Sequence, residues 1–121
     1  MTEKHTIMIA DDDADIREVV KILLESDGYS VVTASDGEEA VQKAGSDIDL
    51  YILDIMMPVM DGLECCRLLK ADNATCHIPV LMLTAYALDD QRIQGYRSGA
   101  DAYITKPFNT DVLCARVENL I

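Results

Sequence analysis

Short apolar runs alternate with helical patterns five times along this chain, and that alternation restricts the fold more than any other feature. Such alternation predicts βαβ units, in which parallel strands are joined by helices. The runs at 50–53 and 80–83 are almost wholly apolar, which is expected of strands that are covered on both faces. The sequence therefore predicts an α/β protein with a central parallel sheet.

Four of these runs stop at residues whose side chains can do chemistry. In a parallel sheet the carboxyl ends of all strands lie along one edge, so we expect these side chains to converge on one crevice. Three carboxylates, one hydroxyl and one ammonium would meet there. The residues are Asp11 and Asp12 after the run 7–10, Asp54 after 50–53, Thr84 after 80–83, and Lys106 after 102–105.

A group of three carboxylates is unstable by itself because the charges repel one another, and a hard divalent cation is its usual partner. Mg²⁺ is the natural candidate, since it favours oxygen ligands and usually combines one or two carboxylates with a phosphate. Lys106 at the same edge can neutralise phosphoryl oxygens as a point charge. Asp54 in such surroundings can attack phosphorus and form an acyl phosphate.

The length and charge of the chain narrow the range of functions. With 121 residues, 13.4 kDa and 50% hydrophobic residues, the chain is expected to form one domain over residues 1–121. The net charge of −12 argues against direct nucleic acid contact, which needs clustered Lys and Arg, and favours protein partners. No apolar stretch approaches the roughly 20 residues of a membrane span, and a signal-peptide pattern is lacking. We expect a cytoplasmic location and no membrane partner.

The four cysteines match neither a disulfide framework nor a metal knuckle. Cys65 and Cys66 are neighbours on a predicted helix, while Cys76 and Cys114 stand alone. Reduced, partly buried thiols are therefore predicted.

The helical segments between the runs have recognisable ends. Asp13 is a good N-cap for the first helix and Gly28 ends it. Ser35 and Glu38 have capping-box spacing at the start of the second helix. The predicted helices are α1 between Asp13 and Gly28, α2 from the Ser35 box to Gly45, α3 at about 62–72, α4 at about 89–98, and α5 at about 111–121.

Four sequence strings carry a resemblance to a known family. IMIADDD, YILDIMMPVMDG, PVLMLTA and GADAYITKPF occur in the order and spacing of the receiver domains of response regulators in two-component phosphorelay signalling. The chain resembles these domains from the first strand to the fifth helix. The resemblance implies a flavodoxin-like five-stranded parallel sheet of order 2-1-3-4-5 with helices on both faces.

The resemblance also implies the ligands of a metal site. Asp54 is similar to the phosphoacceptor of the family. Asp12 and Asp54 are expected to ligate Mg²⁺ directly, with Mn²⁺ as a substitute, and the backbone carbonyl of Met56 is expected to give a third protein oxygen. Asp11 is expected to act through water.

Three further residues resemble the parts that sense the phosphoryl group. Thr84 matches the hydroxyl that moves toward it, and Tyr103 matches the aromatic that turns inward afterwards. Lys106 matches the phosphate-binding lysine, and the Lys106-Pro107 bond is expected to be cis by analogy.

The implied function is that of a signal receiver. A sensor histidine kinase or a histidine phosphotransfer protein would donate the phosphoryl group, and the domain would catalyse only its own phosphorylation and dephosphorylation rather than act as an enzyme. The face made by α4, the fifth strand β5 and α5 would then change to control an output domain or partner. The chain is similar to receivers that form homodimers through this α4-β5-α5 face. However, Ala102 and Val112 replace two acids of the usual pattern.

Simpler roles for these residues, and two rival functions, stay open at this point. Asp11, Asp12 and Asp13 can simply begin a helix, and Tyr103 can be a packing residue of a strand. A flavodoxin-like electron carrier would share the topology but needs a Ser-, Thr- and Gly-rich phosphate loop where this chain has three aspartates. A phosphohydrolase with an aspartate nucleophile would normally have an acid two residues later, where this chain has Met56. The end at Ile121 fits a stand-alone receiver and a part of a longer protein equally well.

Overall fold

The sheet has the predicted topology. The computed structural model describes residues 4–84 and 99–121. Five parallel strands form one sheet in the order β2-β1-β3-β4-β5, which confirms the predicted order. The strands are β1 Thr6–Ala10, β2 Ser30–Ala34, β3 Leu50–Asp54, β4 Val80–Thr84 and β5 Ala102–Thr105.

The described helices lie close to their predicted positions. The predicted α4 at 89–98 lies outside the described residues. No helix among residues 4–84 and 99–121 is long and apolar enough to cross a membrane. The helices are α1 Ala14–Ser26, α2 Gly37–Lys43, α3 Gly62–Ala71 and α5 Thr110–Leu120.

Two hydrophobic layers cover the two faces of the sheet. Because side chains alternate along a strand, Ile7 and Ile9 pack on one face of β1 while Met8 packs on the other. The first face is covered by α1 and α5, and the second by α2 and α3. All residues of β3 and β4 are buried, as their apolar sequences predict. Asp54 and Thr84, at the ends of these strands, are therefore attached to the buried core.

The helix caps show one correction to the sequence analysis. Asp13 caps α1 as predicted, with its side chain accepting from the amides of residues 15 and 16. The cap of α2, however, is Asp36 and not Ser35. The Asp36 carboxylate accepts from the Glu39 amide at 2.8 Å, and Glu39 accepts from the Ser35 amide at 2.9 Å. Gly37 is the first residue of α2, and its amide donates outside the helix to the Met60 carbonyl at 3.1 Å, so the cap position falls on the residue before it, Asp36.

The cysteines agree with the prediction of reduced thiols. All four are free, with Cys65 and Cys66 buried in α3 and Cys76 exposed. Burial raises the pKa of the Cys65 thiol to about 12, with smaller contributions from Cys66 and Asp61. The Cys65 thiolate is therefore not available for metal or redox chemistry near neutral pH.

Candidate functional site

Four strands bring their C-terminal residues to one edge of the sheet. β3 ends at Asp54 and β4 at Thr84, while Asp11 follows β1 and Lys106 follows β5. The backbone continues the pairing beyond β5, since the Lys106 amide donates to the Thr84 carbonyl at 2.6 Å. The crevice predicted from the apolar runs is therefore present.

The three predicted acids form a cluster at this edge. Each of Asp11, Asp12 and Asp54 offers a carboxylate oxygen, and these oxygens lie within 4.8 Å of one another. Asp11 is fully buried and Asp54 is 4% exposed, whereas Asp12 is exposed. Two acids thus form the floor of the cluster and the third faces solvent.

Lys106 bridges the two buried acids. Its Nζ donates to Asp11 Oδ2 at 2.7 Å and lies 3.3 Å from Asp54 Oδ2. The other oxygen of Asp11 accepts from the Asp13 amide at 2.9 Å. Both carboxylate oxygens of Asp11 are therefore engaged by protein donors, while Asp12 keeps its carboxylate at the surface.

Burial and repulsion make Asp54 an unusual acid. Desolvation, followed by the charge of Asp11, raises the pKa of Asp54 to about 6, although Lys106 and the Met56 amide act against this shift. Burial lowers the pKa of Lys106, but its hydrogen bond with Asp11 and the charges of Asp54 and Asp11 outweigh burial, so the net shift is upward. At neutral pH Lys106 is therefore charged, and ionisation of Asp54 in the folded protein costs free energy.

This cost leads to a prediction for the metal-free protein. A folded pKa of about 6 against an ordinary value of 3.8 means that ionisation of Asp54 opposes folding. Asp54→Asn should therefore raise the unfolding free energy by about 3 kcal/mol at pH 7.5. The gain should fade as the pH falls through 6 toward 4, because the parent carboxyl then becomes neutral by itself. Thermal unfolding in chelator at pH 7.5 and pH 4.5 measures both effects.

Asp61→Asn is the matched control for this experiment. Asp61 is an exposed acid that caps α3, and Asn caps a helix about as well as Asp. The control should change stability by less than about 0.5 kcal/mol. A lower melting temperature for Asp54→Asn at pH 7.5 would contradict an uncompensated acidic cluster.

The donor set fits a divalent cation of the Mg²⁺ type. Three carboxylates face one ammonium, which leaves two negative charges to be balanced. All the side-chain donors are hard oxygens, and within residues 4–84 and 99–121 no thiol or imidazole takes part in the cluster. Asp12 also lines an open depression of about 500 Å³ together with Met56, Met57, Pro58 and Asp61, which leaves room for water and a phosphoryl group.

The remaining predicted residues lie around this cluster. Met56 is two residues beyond Asp54 and 55% exposed, so the role of its carbonyl stays a prediction. Thr84 is fully buried at the end of β4. Tyr103 is partly buried, pairs in register with Met82 of β4, and packs against the core layer that includes α2 and α3. The Lys106-Pro107 bond is cis, as the resemblance implies.

The sequence patterns do not point to two residues near Asp54, Val59 in the loop after β3 and Gly62 at the start of α3. A Cβ on Gly62 would lie 2.3 Å from the Asp54 carbonyl, so α3 approaches the strand end too closely for any other residue. Val59 has a φ of 68°, and the Met60 amide donates across it to the Pro58 carbonyl at 2.7 Å. This is a strained three-residue turn. In the sequence, the Asp61-Gly62 pair indicates a turn at this position, which is consistent with the close approach of α3 to the end of β3.

Gly62→Ala should consequently destabilise the protein. The added methyl group must displace backbone, so we expect a loss of about 3 kcal/mol of unfolding free energy. Gly28→Ala provides the comparison, because Gly28 has a φ of 96° but nothing within 4 Å of a Cβ. That change should cost only about 1 kcal/mol. Urea unfolding measures both losses, and equal losses would argue against the close contact with Asp54.

Comparisons with known proteins agree with this geometry. Residues 7–118 match the family described as the response regulator receiver domain. The transcriptional regulatory protein ResD of Bacillus subtilis is 39% identical over 121 residues, which cover 99% of this chain and 49% of ResD. This chain therefore spans about half the length of that relative.

Two solved structures show the same fold. The chemotaxis protein CheY4 of Vibrio cholerae has a TM-score of 0.91 and 33% identity, over 98% of this chain and 100% of CheY4. The receiver domain of the sensor histidine kinase PA1611 from Pseudomonas aeruginosa has a TM-score of 0.88 and 27% identity, over 98% of both chains. That structure is described with a magnesium ion coordinated in its active-site cleft.

Proposed function

Because this chain belongs to the response regulator receiver domain family, we propose that Asp54 accepts a phosphoryl group from the phosphohistidine of a partner or from a small acyl phosphate. The single observation that carries the proposal is the bridge that Lys106 makes between Asp11 and Asp54 beside the exposed Asp12. This arrangement combines a nucleophile, the Lys106 ammonium and an acidic cluster suited to a divalent cation in one crevice. Residues 1–121 would act as one receiver domain.

Phosphoryl transfer to Asp54 would use the carboxylate of Asp54 as the nucleophile and the ammonium of Lys106 as the stabilising charge. One carboxylate oxygen of Asp54 attacks phosphorus, a new P–O bond forms, and the P–N bond to imidazole or the P–O bond to a carboxylate leaving group breaks. Lys106 stabilises charge on the transferring oxygens, because its ammonium already lies 3.3 Å from Asp54 Oδ2. Its bond to Asp11 keeps it in place during the transfer. The product is an acyl phosphate on Asp54.

Asp12, Asp54 and the Met56 carbonyl would hold the cation, with Asp11 acting through water. Both oxygens of Asp11 already accept hydrogen bonds, which supports an indirect role. A bound Mg²⁺, or Mn²⁺ in its place, would supply positive charge opposite Lys106 and orient the phosphoryl oxygens. The domain would in this way catalyse only its own phosphorylation and dephosphorylation.

The response would begin at Thr84 and pass to Tyr103. A phosphoryl group adds about −1.5 to −2 charges, and Thr84, at the end of the strand that pairs with β3, carries a hydroxyl that can donate to it. Tyr103 pairs in register with Met82, two residues before Thr84, so a shift of Thr84 would change the space around Tyr103. The α4-β5-α5 face would then shift its population toward the active form.

The partners follow from the same chemistry. A sensor histidine kinase or histidine phosphotransfer protein would supply the phosphoryl group in the cytoplasm, and an output domain, a partner or a second copy would contact the switched face. The relative ResD is named as a transcriptional regulator, so a longer protein containing this chain could act on transcription. The acidic receiver itself would not contact nucleic acid.

Intact-mass measurement after incubation with Mg²⁺ and acetyl phosphate tests the proposed function. We expect one added phosphoryl group that hydroxylamine removes, since an acyl phosphate is a mixed anhydride. The same incubation with chelator in place of Mg²⁺ should give little or no product. No added mass in either condition, together with rapid hydrolysis of a phosphomonoester, would instead favour a phosphohydrolase.

Thr84→Ala should separate labelling from signalling. The variant should still accept phosphate on Asp54, because Thr84 is neither the nucleophile nor a metal ligand. Amide chemical shifts with and without beryllofluoride, a mimic of the phosphoryl group, report the response. In the parent we expect changes over residues 89–98 and 103–121, and in Thr84→Ala these changes should shrink. Equal chemical-shift changes in the parent and in Thr84→Ala would show that Thr84 does not transmit the response, which would then be assigned to Lys106 and the turn that follows it.

A further inference from the structure

Arg17 contacts the loop that carries two of the three acids, although it is not itself part of the cluster. It lies in the first turns of α1, and its Nη1 donates to the main-chain carbonyl of Asp11 at 2.6 Å. That carbonyl belongs to the peptide unit that joins Asp11 to Asp12. The guanidinium therefore holds the peptide between a buried acid of the cluster and the exposed one.

Every polar group of Asp11 is engaged once this contact is included. Its amide donates to the Ala34 carbonyl at 3.1 Å, and its carboxylate oxygens accept from the Asp13 amide and from Lys106. Asp11 thus has a fixed position, whereas Asp12 is exposed. The direction in which Asp12 projects depends on the rotation of the peptide before it, and the Arg17 side chain donates to the carbonyl of this peptide.

We infer that Arg17 is a positioning residue for the cation site, which sets the Asp11–Asp12 peptide so that the Asp12 carboxylate faces Asp54. The inference rests on the proposed function, because it concerns the same cluster. Mg²⁺ demands near-ideal octahedral geometry, whereas Ca²⁺ tolerates irregular coordination. Correct placement of Asp12 should therefore matter more for Mg²⁺ than for Ca²⁺.

The sign of the effect distinguishes positioning from simple charge. Removing a cation beside an acidic cluster strengthens the binding of another cation if Coulomb forces alone act. Losing the hydrogen bond to the Asp11 carbonyl weakens binding, because the ligand geometry is no longer held. The two mechanisms thus predict opposite changes for the same variant.

The test is a titration of metal-free protein with MgCl₂ and with CaCl₂, followed by amide chemical shifts. Arg17→Ala should bind Mg²⁺ roughly ten-fold more weakly, and the loss for Ca²⁺ should be clearly smaller. Arg17→Lys should recover part of the Mg²⁺ affinity, since an ammonium can donate to the same carbonyl. Circular dichroism and thermal unfolding establish that each variant is folded.

Lys21→Ala is the matched control, because Lys21 lies one turn further along α1 and lines, together with Arg17, a surface groove beside Thr33. It removes the same charge without touching the peptide, so its Mg²⁺ affinity should be unchanged or slightly higher. The inference about Arg17 would be overturned if Arg17→Ala and Lys21→Ala bound Mg²⁺ equally well, or if Arg17→Ala lost equal affinity for Mg²⁺ and Ca²⁺. Either result would leave the proposed function in place. Failure of the parent to bind Mg²⁺ would overturn the proposed function as well.

Discussion

Asp54→Asn is expected to abolish phosphoryl incorporation from acetyl phosphate, the largest effect that we predict for a single substitution. The amide has nearly the same shape as the carboxylate but lacks the nucleophilic oxygen anion. Asp54 is 4% exposed and its Oδ2 lies 3.3 Å from Lys106 Nζ, whereas Asp12, the exposed acid of the cluster, has no such contact with Lys106 among the described residues. Intact mass before and after incubation with Mg²⁺ measures the incorporation.

Asp61→Asn provides the control for this loss. Asp61 lies on the same loop and lines the same depression, but it is exposed and caps α3. Its substitution removes one acid near the site and should leave labelling at the parental level. Full labelling of Asp54→Asn at another residue would show that the phosphoacceptor has been assigned wrongly.

Asp12→Ala is expected to remove most of the Mg²⁺ binding while the protein stays folded. The substitution removes a direct ligand. Loss of a residue that only orients a metal ligand already weakens metal affinity by about 10- to 100-fold, so we expect the dissociation constant for Mg²⁺ to rise by roughly 100-fold. The exposed position of Asp12 means that its removal leaves no buried cavity. Phosphoryl incorporation should slow in proportion at limiting Mg²⁺. Titration of the metal-free protein, followed by amide shifts near residue 54, measures the affinity.

Asp13→Asn separates ligand loss from charge loss. Asp13 is the next acid in the chain, and its carboxylate caps α1 by accepting from the Asp15 amide at 2.9 Å. Asn keeps this cap and removes the charge, so Mg²⁺ binding should fall by no more than a few-fold. A loss in Asp13→Asn as large as that in Asp12→Ala would indicate that net charge, and not ligation by Asp12, governs binding.

Much of the fold was predictable from local pattern. The apolar runs at 50–53 and 80–83 could be stable only if covered on both faces, and the structure buries every residue of β3 and β4. Asp13 was predictable as a cap because its side chain acts on neighbouring amides. The cap of α2 lies one residue later than the capping-box pattern predicts, because Ser35 and Glu38 have the same spacing as Asp36 and Glu39. The contact between Gly37 and Met60, distant in sequence, selects between them.

The sequence by itself determined which residues would share the sheet edge. Parallel strands end on one side, so Asp11, Asp54 and Lys106 had to converge once the strands were recognised. Only the tertiary structure decided the burial and the contacts of each of these residues. It buries Asp11 and Asp54, exposes Asp12, places Lys106 between the buried pair, and brings Arg17 to the peptide before Asp12. These outcomes depend on burial and on distances of a few ångströms between distant segments, which no local pattern of residues encodes.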